Sequence, residues 1–394
     1  MPDRLAIDGG TPVRARLLPY GKQTIDADDE RAVLDVLRSD FLTTGPKVEA
    51  FEEAVAALTG ARHAVAFSNG TAALHGAAHA AGLKSGDDAI TTPLTFAATA
   101  NCVRYVGASP RFADVRPDTL NIDPARVREA ITPATRALLP VDYTGAPADL
   151  DDCLAIAKAH QLVVIEDAAH ALGATYKGRP VGSIADMTTF SFHPVKHVTT
   201  GEGGMVATND AEFAARLRRF RNHGMTADVA ARAARGSWFY DIVETGMNYR
   251  LTDLQCALGL SQLKKLPAWL RRRREIAAAY DGALTMPEVR RPVVPADRES
   301  AWHLYVVRID CRGLRVDRAA VFAALRAENI GVNVHYIPVH LHSAYGGVAA
   351  RGSFPIAERA YDEMITLPIW PGMTDADVDD VVTAVHRVVH AYRR

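Results

Sequence analysis

Several features that would place this chain of 394 residues in a specialised class are missing from it. Its four cysteines are scattered without CxxC spacing, which argues against a disulfide framework or a zinc site and is typical of a reducing compartment. Lysine plus arginine number 45 and aspartate plus glutamate 46, so no net charge favours nucleic acid or an anionic membrane. The longest stretch without a charged residue, Ala64 to Leu83, contains SNGT and two histidines and is a poor bilayer span. The start, MPDRLAIDGGTP, lacks the apolar segment of a secretory signal, so we expect a soluble, cytoplasmic protein with a small-molecule partner.

The chain has the length and apolar content for a large core, with 48% hydrophobic residues. Residues 285–300 are rich in proline and charge and predict a break before a second α/β unit. We therefore expect a large domain with an N-terminal arm over residues 1–266 and a small C-terminal domain over residues 267–394.

Between residues 60 and 210, short apolar runs alternate with helical patterns, which is typical of an α/β layer. RALLPVDY, DLDDCLAIAKAHQ and LVVIED predict a βαβ unit, and hence a mostly parallel sheet. The predicted strand ends carry Ser68, Phe96, Tyr143 and Asp167. Because ligands of open α/β sheets bind outside the carboxyl ends of the strands, we expect a site there.

The stretch SFHPVKHVTTGEGG places Lys196 in a short connection between two predicted strands, MTTFSFH and GGMVATND. Too few residues separate these strands for a crossover helix, so they should pair directly. A lysine among glycines and hydroxyls, together with an aspartate from a neighbouring strand, suits pyridoxal phosphate. The amine forms a Schiff base with the cofactor, and the carboxylate keeps the pyridine nitrogen protonated. The sequence therefore favours Lys196 and Asp167 as catalytic residues.

Each of these residues has a simpler interpretation. Glu166 could replace Asp167, but alternation along a strand sends the two side chains to opposite faces, and we choose Asp167. SNGT, before a predicted helix, could be an ordinary N-cap; next to a candidate lysine it favours a phosphate site. Phe96 suits a core position or a ring stacked on the cofactor, and His170 suits a helix start or a contact with the cofactor's phenolic oxygen. The histidines of HYIPVHLH lack metal-site spacing, and we expect no metal.

The remaining segments complete the predicted architecture. TDLQ, from Thr252, is a capping box that should begin a helix. WHLYVVRI and VNVHYI predict strands of the C-terminal unit, with the helix DRAAVFAALRAENI between them. The last helix should start after Thr374 and place five valines on one face.

Taken together, these motifs resemble the DegT/DnrJ/EryC1/StrS family of pyridoxal-phosphate sugar aminotransferases. The resemblance runs from LPYGKQTI and FLTTGP through SNGTAALH, PLTFAATAN, EDAAHALGA, SFHPVK, TTGEGG and NYRLTDLQCALG to HYIPVH and LPIWP. It implies the aspartate-aminotransferase-like α/β fold (fold type I), with a large domain on a mostly parallel mixed sheet, a smaller C-terminal α/β domain and a homodimer with shared active sites.

The resemblance also implies a role for each matching residue. Lys196 would carry the cofactor, Asp167 would face the pyridine nitrogen, His170 would lie near the phenolic oxygen and Phe96 would stack on the ring. The phosphate would be held by Thr71, Ala72 and Ser191, joined by Asn248 of the other subunit. Arg250, His335 and Tyr336 would contact the sugar nucleotide.

The implied reaction moves an amino group from L-glutamate to the C4 ketone of a nucleotide-linked 4-keto-6-deoxy sugar. SFHPVK, WFYDIVETGMNYRLTD and HYIPVHLHSAY are most similar to transaminases of pseudaminic acid biosynthesis, which act on a UDP-4-keto-6-deoxy-N-acetyl-altrose type of sugar. LAIDGGTPVR also resembles natural-product members that act on a dTDP- or GDP-4-keto hexose or a keto-inositol. A deoxysugar dehydratase, which would carry histidine in place of Lys196, and a regulatory homologue without the lysine or aspartate are less favoured.

Overall fold

The computed structural model describes residues 4–227 and 236–394. In these ranges the helices are α1 (Ala27–Leu37), α2 (Pro46–Thr59), α3 (Gly70–Ala80), α4 (Ala98–Tyr105), α5 (Pro124–Ala130), α6 (Leu150–His160), α7 (Ala211–Phe220), α8 (Asp253–Leu263), α9 (Leu266–Ala283), α10 (Arg318–Ala327), α11 (Pro355–Glu363) and α12 (Asp375–Tyr392). The strands are β1 (His63–Phe67), β2 (Asp88–Thr91), β3 (Ser109–Phe112), β4 (Thr135–Leu139), β5 (Val163–Asp167), β6 (Thr175–Tyr176), β7 (Arg179–Pro180), β8 (Met187–Ser191), β9 (Gly204–Thr208), β10 (Val289–Arg290), β11 (Arg298–Glu299), β12 (Tyr305–Ile309) and β13 (Met364–Leu367).

A seven-stranded sheet in the order β1-β9-β8-β5-β4-β2-β3 forms the centre of the fold. Strands β8, β5, β4, β2 and β3 pair in parallel, and β9 runs antiparallel to both of its neighbours, β1 and β8. This confirms the prediction of a mostly parallel sheet. The carboxyl ends of the parallel strands therefore lie at one edge.

The predicted βαβ unit is β4-α6-β5, and the predicted direct pairing of the two strands around the lysine is β8 with β9. Ser191 ends β8 opposite Gly204, which begins β9, so the lysine loop closes between two paired residues. Inside the loop Phe192 N–H donates to Gly203 O at 2.8 Å and Thr200 N–H to Phe192 O at 3.0 Å. These bonds make the connection a constrained turn.

A second sheet, β10-β12-β13, is antiparallel and packs with α10 and α12 around a separate apolar cluster. Leu5 and Leu18 of the N-terminal segment are buried in the same cluster. Helix α9 connects both cores, because Leu266 and Leu270 pack under the large sheet and Ile276 and Tyr280 under the small one. The division at residues 266 and 267 stays a prediction.

The predicted helix starts at Thr252 and after Thr374 are confirmed. Thr252 caps α8 in a capping box with Gln255, and in the structure Thr374 caps α12 in the same way with Asp377. One strand prediction is wrong: VNVHYI forms no strand, and only Asn333 makes an isolated bridge, with Thr366 of β13. Four of its residues, Asn333, Val334, His335 and Tyr336, instead line the cavity described below. None of the helices in the described ranges has the length and apolar character needed to cross a membrane.

Candidate active site

A cavity of about 920 Å³ opens at the carboxyl edge of the large sheet. Its lining includes most of the residues predicted from the sequence, namely Thr71, Ala72, Phe96, Asp167, His170, Ser191, Lys196, His335 and Tyr336. The lysine loop and the acidic end of β5 therefore face the same space. Topology alone brings them together, because β5 and β8 are parallel neighbours in the sheet.

Asp167 lies at the end of β5 with 6% of its surface exposed. Thr99 at the start of α4 donates to its Oδ2 at 2.7 Å, and the Ala169 N–H donates to Oδ1 at 3.2 Å. Burial raises the pKa of Asp167, while these two donors and the nearby Lys196 oppose that rise. A positively charged ring nitrogen in the cavity would favour the ionised carboxylate in the same way.

Glu166 points to the opposite face of the strand, as strand alternation requires. It is fully buried and accepts a hydrogen bond from Thr188 Oγ1 at 2.7 Å. Asp142, which follows β4 in the chain, is also fully buried and interacts with Glu166. The choice of Asp167 over Glu166 is therefore consistent with where the two side chains point.

Lys196 follows a turn in which its N–H donates to His193 O at 2.9 Å. Its Nζ lies 3.3 Å from Nε2 of His303. Burial lowers the pKa of Lys196 to about 8; Asp167 opposes this shift and Arg273 reinforces it. The lowered pKa leaves a larger fraction of the amine neutral near physiological pH than an ordinary lysine has, and the neutral amine is the form that acts as a nucleophile and a proton acceptor.

The N-terminus of α3 forms the end of the cavity next to Ser191. Asn69 caps this helix by accepting a hydrogen bond from the Ala72 N–H at 2.8 Å, so that amide already has a partner. Gly70 lies so close to β8 that an added Cβ would be 2.9 Å from Ser191 Cβ, and one on Gly204 would be 2.3 Å from Asn69 O. Two glycines therefore let the helix N-terminus and the strand ends meet, and that geometry suits a phosphate.

Aromatic side chains also line the cavity. His170 Nε2 and Tyr336 OH are 2.9 Å apart, and Phe96 lies with its ring centroid 5.9 Å from that of Tyr336. The Phe96 side chain is 60% exposed, which leaves a ring face open to the cavity. Burial lowers the pKa of His170 well below its usual value, so this imidazole is neutral. His335 is bonded through Nδ1 to Thr366 Oγ1 at 2.9 Å.

Two predicted residues do not line this cavity. Asn248 is exposed and forms an isolated bridge with Asn222, and Arg250 donates to Asn222 Oδ1 at 2.6 Å. Their neighbour Tyr249 does line it, and its carbonyl accepts from the Ser68 N–H at 2.7 Å. This placement agrees with the expectation that Asn248 acts outside its own subunit's site, which stays a prediction.

Sequence reasoning missed several residues that line the cavity, chief among them Tyr20, Tyr249, Asn333 and His303. His303 lies within the predicted strand WHLYVVRI, but β12 begins only at Tyr305. The signal in the sequence for His303 is a polar residue just before an apolar strand. Thr99, which bonds Asp167, lay in a helical pattern with nothing to distinguish it.

The fold and the cavity define a class, the pyridoxal-phosphate enzymes of fold type I. The cavity suits that cofactor, since it offers an amine of lowered pKa, a buried carboxylate, a helix N-terminus and an open aromatic face. A family match to residues 23–386 makes the assignment specific: the chain belongs to the DegT/DnrJ/EryC1/StrS aminotransferase family.

Individual relatives support this assignment. The spore coat polysaccharide biosynthesis protein SpsC of Bacillus subtilis is 45% identical over 381 residues, covering 95% of this chain and 98% of SpsC. Helicobacter pylori PseC, an aminotransferase involved in the biosynthesis of pseudoaminic acid, superposes with a TM-score of 0.89 at 32% identity, over 96% of this chain and 100% of PseC. DesV of S. venezuelae, solved with a ketimine intermediate, gives 0.86 at 34% identity, over 94% and 98%. The protein is a pyridoxal-phosphate-dependent sugar aminotransferase.

Proposed function

We propose that the enzyme transfers the amino group of L-glutamate to the C4 ketone of a nucleotide-linked 4-keto-6-deoxy sugar of the UDP-N-acetyl-altrose type. The observation that carries the site assignment is the meeting of Lys196, Asp167 and the α3 N-terminus in one cavity. The choice of sugar rests on the likeness to PseC and on motifs shared with pseudaminic acid transaminases. The identity with SpsC supports a role in polysaccharide biosynthesis.

Lys196 has two roles in the proposed reaction. When bound, pyridoxal phosphate supplies an electron-withdrawing ring and an aldehyde carbon that carries the amino group from donor to acceptor. Lys196 Nζ would hold the cofactor covalently. Once released, its amine would take the proton from Cα of the amino donor and pass it to the cofactor carbon that receives the amino group. In the second half-reaction the same amine would move a proton from that carbon to C4 of the sugar.

The other side chains of the cavity would orient the cofactor ring and favour the protonated form of its pyridine nitrogen. Asp167, fixed by Thr99, would favour a protonated pyridine nitrogen, and Phe96 would cover one face of the ring. Thr71 and Ser191 would bind the phosphate at the α3 N-terminus, where the helix dipole favours an anion. His335 and Tyr336, which also line the cavity, would contact the sugar.

We further propose a homodimer in which Asn248 completes the partner's phosphate site and Arg250 contacts the sugar nucleotide. Large apolar side chains are exposed on α1 and on the segments after it and before α8, including Leu37, Phe41, Trp238 and Phe239. Such exposure is typical of surfaces that a second subunit covers.

The acceptor is tested by offering UDP-, GDP- and dTDP-4-keto sugars and a keto-inositol, with L-glutamate or L-glutamine as donor. We expect amination at C4 of the UDP-linked sugar, with 2-oxoglutarate released from glutamate. Amination of the keto-inositol alone would contradict the proposed acceptor.

The site is tested separately with Lys196→Ala, and with Lys158→Ala on an exposed face of α6 as the matched control. Borohydride reduction should fix the cofactor to position 196 in the wild type and in the control. The Lys196→Ala protein should still bind the cofactor by its phosphate but lose the reduced adduct and turnover. A wild-type adduct on another lysine would refute the assignment.

A further inference from the structure

The segment Ala301–Leu304 passes directly over the lysine loop. It precedes β12 and carries His303, whose side chain is buried and whose Nε2 lies 3.3 Å from Lys196 Nζ. The imidazole also packs against His170, at a centroid distance of 4.5 Å, and against His197, at 5.5 Å. Within the described residues no hydrogen-bond partner reaches its Nδ1. Among the described residues, the polar contact of the His303 ring is therefore the one between its Nε2 and Lys196 Nζ.

The backbone of this segment is fixed from one side by the 143–145 turn. Ala301 N–H donates to Gly145 O at 2.9 Å, and Leu304 N–H donates to Thr144 O at 3.1 Å. Gly145 has φ +113°, and an added Cβ would lie 2.8 Å from Trp302 N and 3.0 Å from His303 N. A glycine is needed for so close an approach.

From the other side the segment is held by two buried side chains. Arg273 Nη1 of α9 donates to Trp302 O at 3.0 Å and to His303 O at 3.4 Å. His197, the neighbour of the lysine, donates from Nε2 to Ala301 O at 2.9 Å. Hydrogen bonds on two sides of the segment therefore fix the position of the His303 backbone relative to Lys196.

The charges around the pair favour a neutral imidazole. Burial lowers the pKa of His303 well below its usual value, and the charge of Lys196 acts in the same direction. The titratable and charged groups that act on Lys196 or His303 are Asp167, His170, His197, Arg273 and His335. Because an ammonium group has only donors, Nε2 must accept whenever Lys196 carries a proton, and Nδ1 then carries the ring hydrogen.

We propose that His303 is a positioning residue for Lys196: by accepting a hydrogen bond at Nε2 it holds the amine in place while the amine moves a proton between the two reacting carbons of each half-reaction. This inference rests on the proposed role of Lys196 as the proton carrier. Without the acceptor, the protonated amine would lose both a stabilising bond and its orientation.

Three variants separate this role from simple packing. His303→Gln keeps an acceptor near the position of Nε2, His303→Asn keeps a polar group that is too short to reach Lys196, and His303→Leu removes the polar group. His386→Gln, at an exposed histidine of α12, is the matched control. Circular dichroism and thermal melting show which variants fold. If His303→Leu does not fold, His303→Asn takes its place as the variant that lacks the hydrogen bond to Lys196.

The first measurement uses the cofactor-free enzyme. A lysine-acylating reagent is applied over a range of pH, and the adduct at position 196 is quantified by peptide mass spectrometry. The midpoint should lie near pH 8 in the wild type, where the pKa of Lys196 is about 8. It should fall by about one unit in His303→Leu and His303→Asn, because the bond that stabilises the ammonium is lost. His303→Gln should return it toward the wild-type value.

The second measurement is steady-state transamination. Loss of orientation should lower kcat on the order of 10- to 100-fold in His303→Leu and His303→Asn while KM for the donor changes little. The glutamine variant should recover most of kcat. Unchanged kcat and midpoint in the asparagine variant, or equal behaviour of asparagine and glutamine, would overturn the proposal. A borohydride adduct away from position 196 would instead overturn the proposed function.

Discussion

At the scale of single residues, the two adjacent acids of β5 have different surroundings. Asp167 faces the cavity with Thr99 as its donor, whereas Glu166 faces the buried side of the sheet and bonds Thr188. The difference follows from strand alternation, and it makes the roles of the two carboxylates separable by experiment.

Asp167→Asn should keep the hydrogen bond from Thr99, because the amide oxygen can still accept it. The neutral amide cannot stabilise a protonated pyridine nitrogen, so kcat should fall on the order of 10²- to 10⁴-fold. Glu166→Gln, the matched control one residue away, should stay within a few-fold of wild type. Thermal melting checks that both variants fold, and equal losses in the two would contradict the assigned role of Asp167.

At the scale of secondary-structure elements, the cavity depends on the contact between the N-terminus of α3 and the start of β9. Gly204→Ala should disrupt it, because the new Cβ would lie 2.3 Å from the backbone oxygen of Asn69. We expect a loss of about 1–3 kcal/mol of stability from overpacking and a weaker affinity for the cofactor phosphate.

The control is Gly282→Ala in α9, where an added Cβ meets nothing within 4 Å. There the alanine should stabilise the helix by about 0.5–1 kcal/mol and leave cofactor affinity unchanged. Urea unfolding and cofactor titration measure both effects. If Gly204→Ala bound the cofactor with wild-type affinity, the contact between α3 and β9 would not be needed for the phosphate site.

The sequence was a good guide to elements whose signal is local. The βαβ unit over β4, α6 and β5 follows from apolar periodicity, the start of α8 follows from the capping box at Thr252, and α12 follows from its valines at helical spacing. The pairing of β8 with β9 follows from the shortness of the lysine loop. In each case the physical cause lies within a few residues of the effect.

Features that depend on distant contacts could not be predicted. VNVHYI has the composition of a strand, but it pairs with β13 only at Asn333, and its polar side chains face the cavity instead. His303 reaches Lys196 only because Gly145 and Arg273 fix the segment that carries it. None of these contacts is close in sequence.

At the scale of the whole molecule, the buried pair of Asp142 and Glu166 should make stability depend on pH. Among the residues that the structure describes, Asp142 Oδ2 and Glu166 Oε1 are buried without a hydrogen-bond partner, and one proton shared between the two carboxyls would satisfy both. Burial raises the pKa of each, and the charge of Glu166 raises that of Asp142 further. The folded pair therefore keeps a proton at pH values where the unfolded carboxyls, with pKa about 4, have lost theirs.

Because the folded state then binds more protons than the unfolded state, stability should fall as pH rises above about 4 toward the raised folded pKa. Asp142→Asn needs no shared proton: its amide can donate to Glu166, and its oxygen can still accept from Ala148 N–H. This variant should lose less stability than wild type between pH 5.5 and 8 by urea unfolding. Asp379→Asn, at an exposed aspartate, is the control and should lose stability with rising pH as steeply as wild type does. An equal dependence of stability on pH in all three proteins would contradict the shared proton.

The proposed sharing of active sites between subunits is the property of the whole molecule that a mixing experiment can decide. Lys196→Ala and Asn248→Ala should each form inactive or weakly active homodimers. When the two are coexpressed, a mixed dimer brings an intact Lys196 and an intact Asn248 together in one of its two sites, so activity should return to about a quarter of wild type.

Coexpressing wild type with the double variant Lys196→Ala/Asn248→Ala separates the alternatives. If the sites are shared, the mixed dimers have no intact site and activity should be about a quarter of wild type; if each subunit is self-sufficient, it should be about half. Light scattering coupled to size-exclusion chromatography checks that the mixtures are dimeric. Failure of the two single variants to complement, together with half activity in this control, would place Asn248 in its own subunit's site or outside the mechanism.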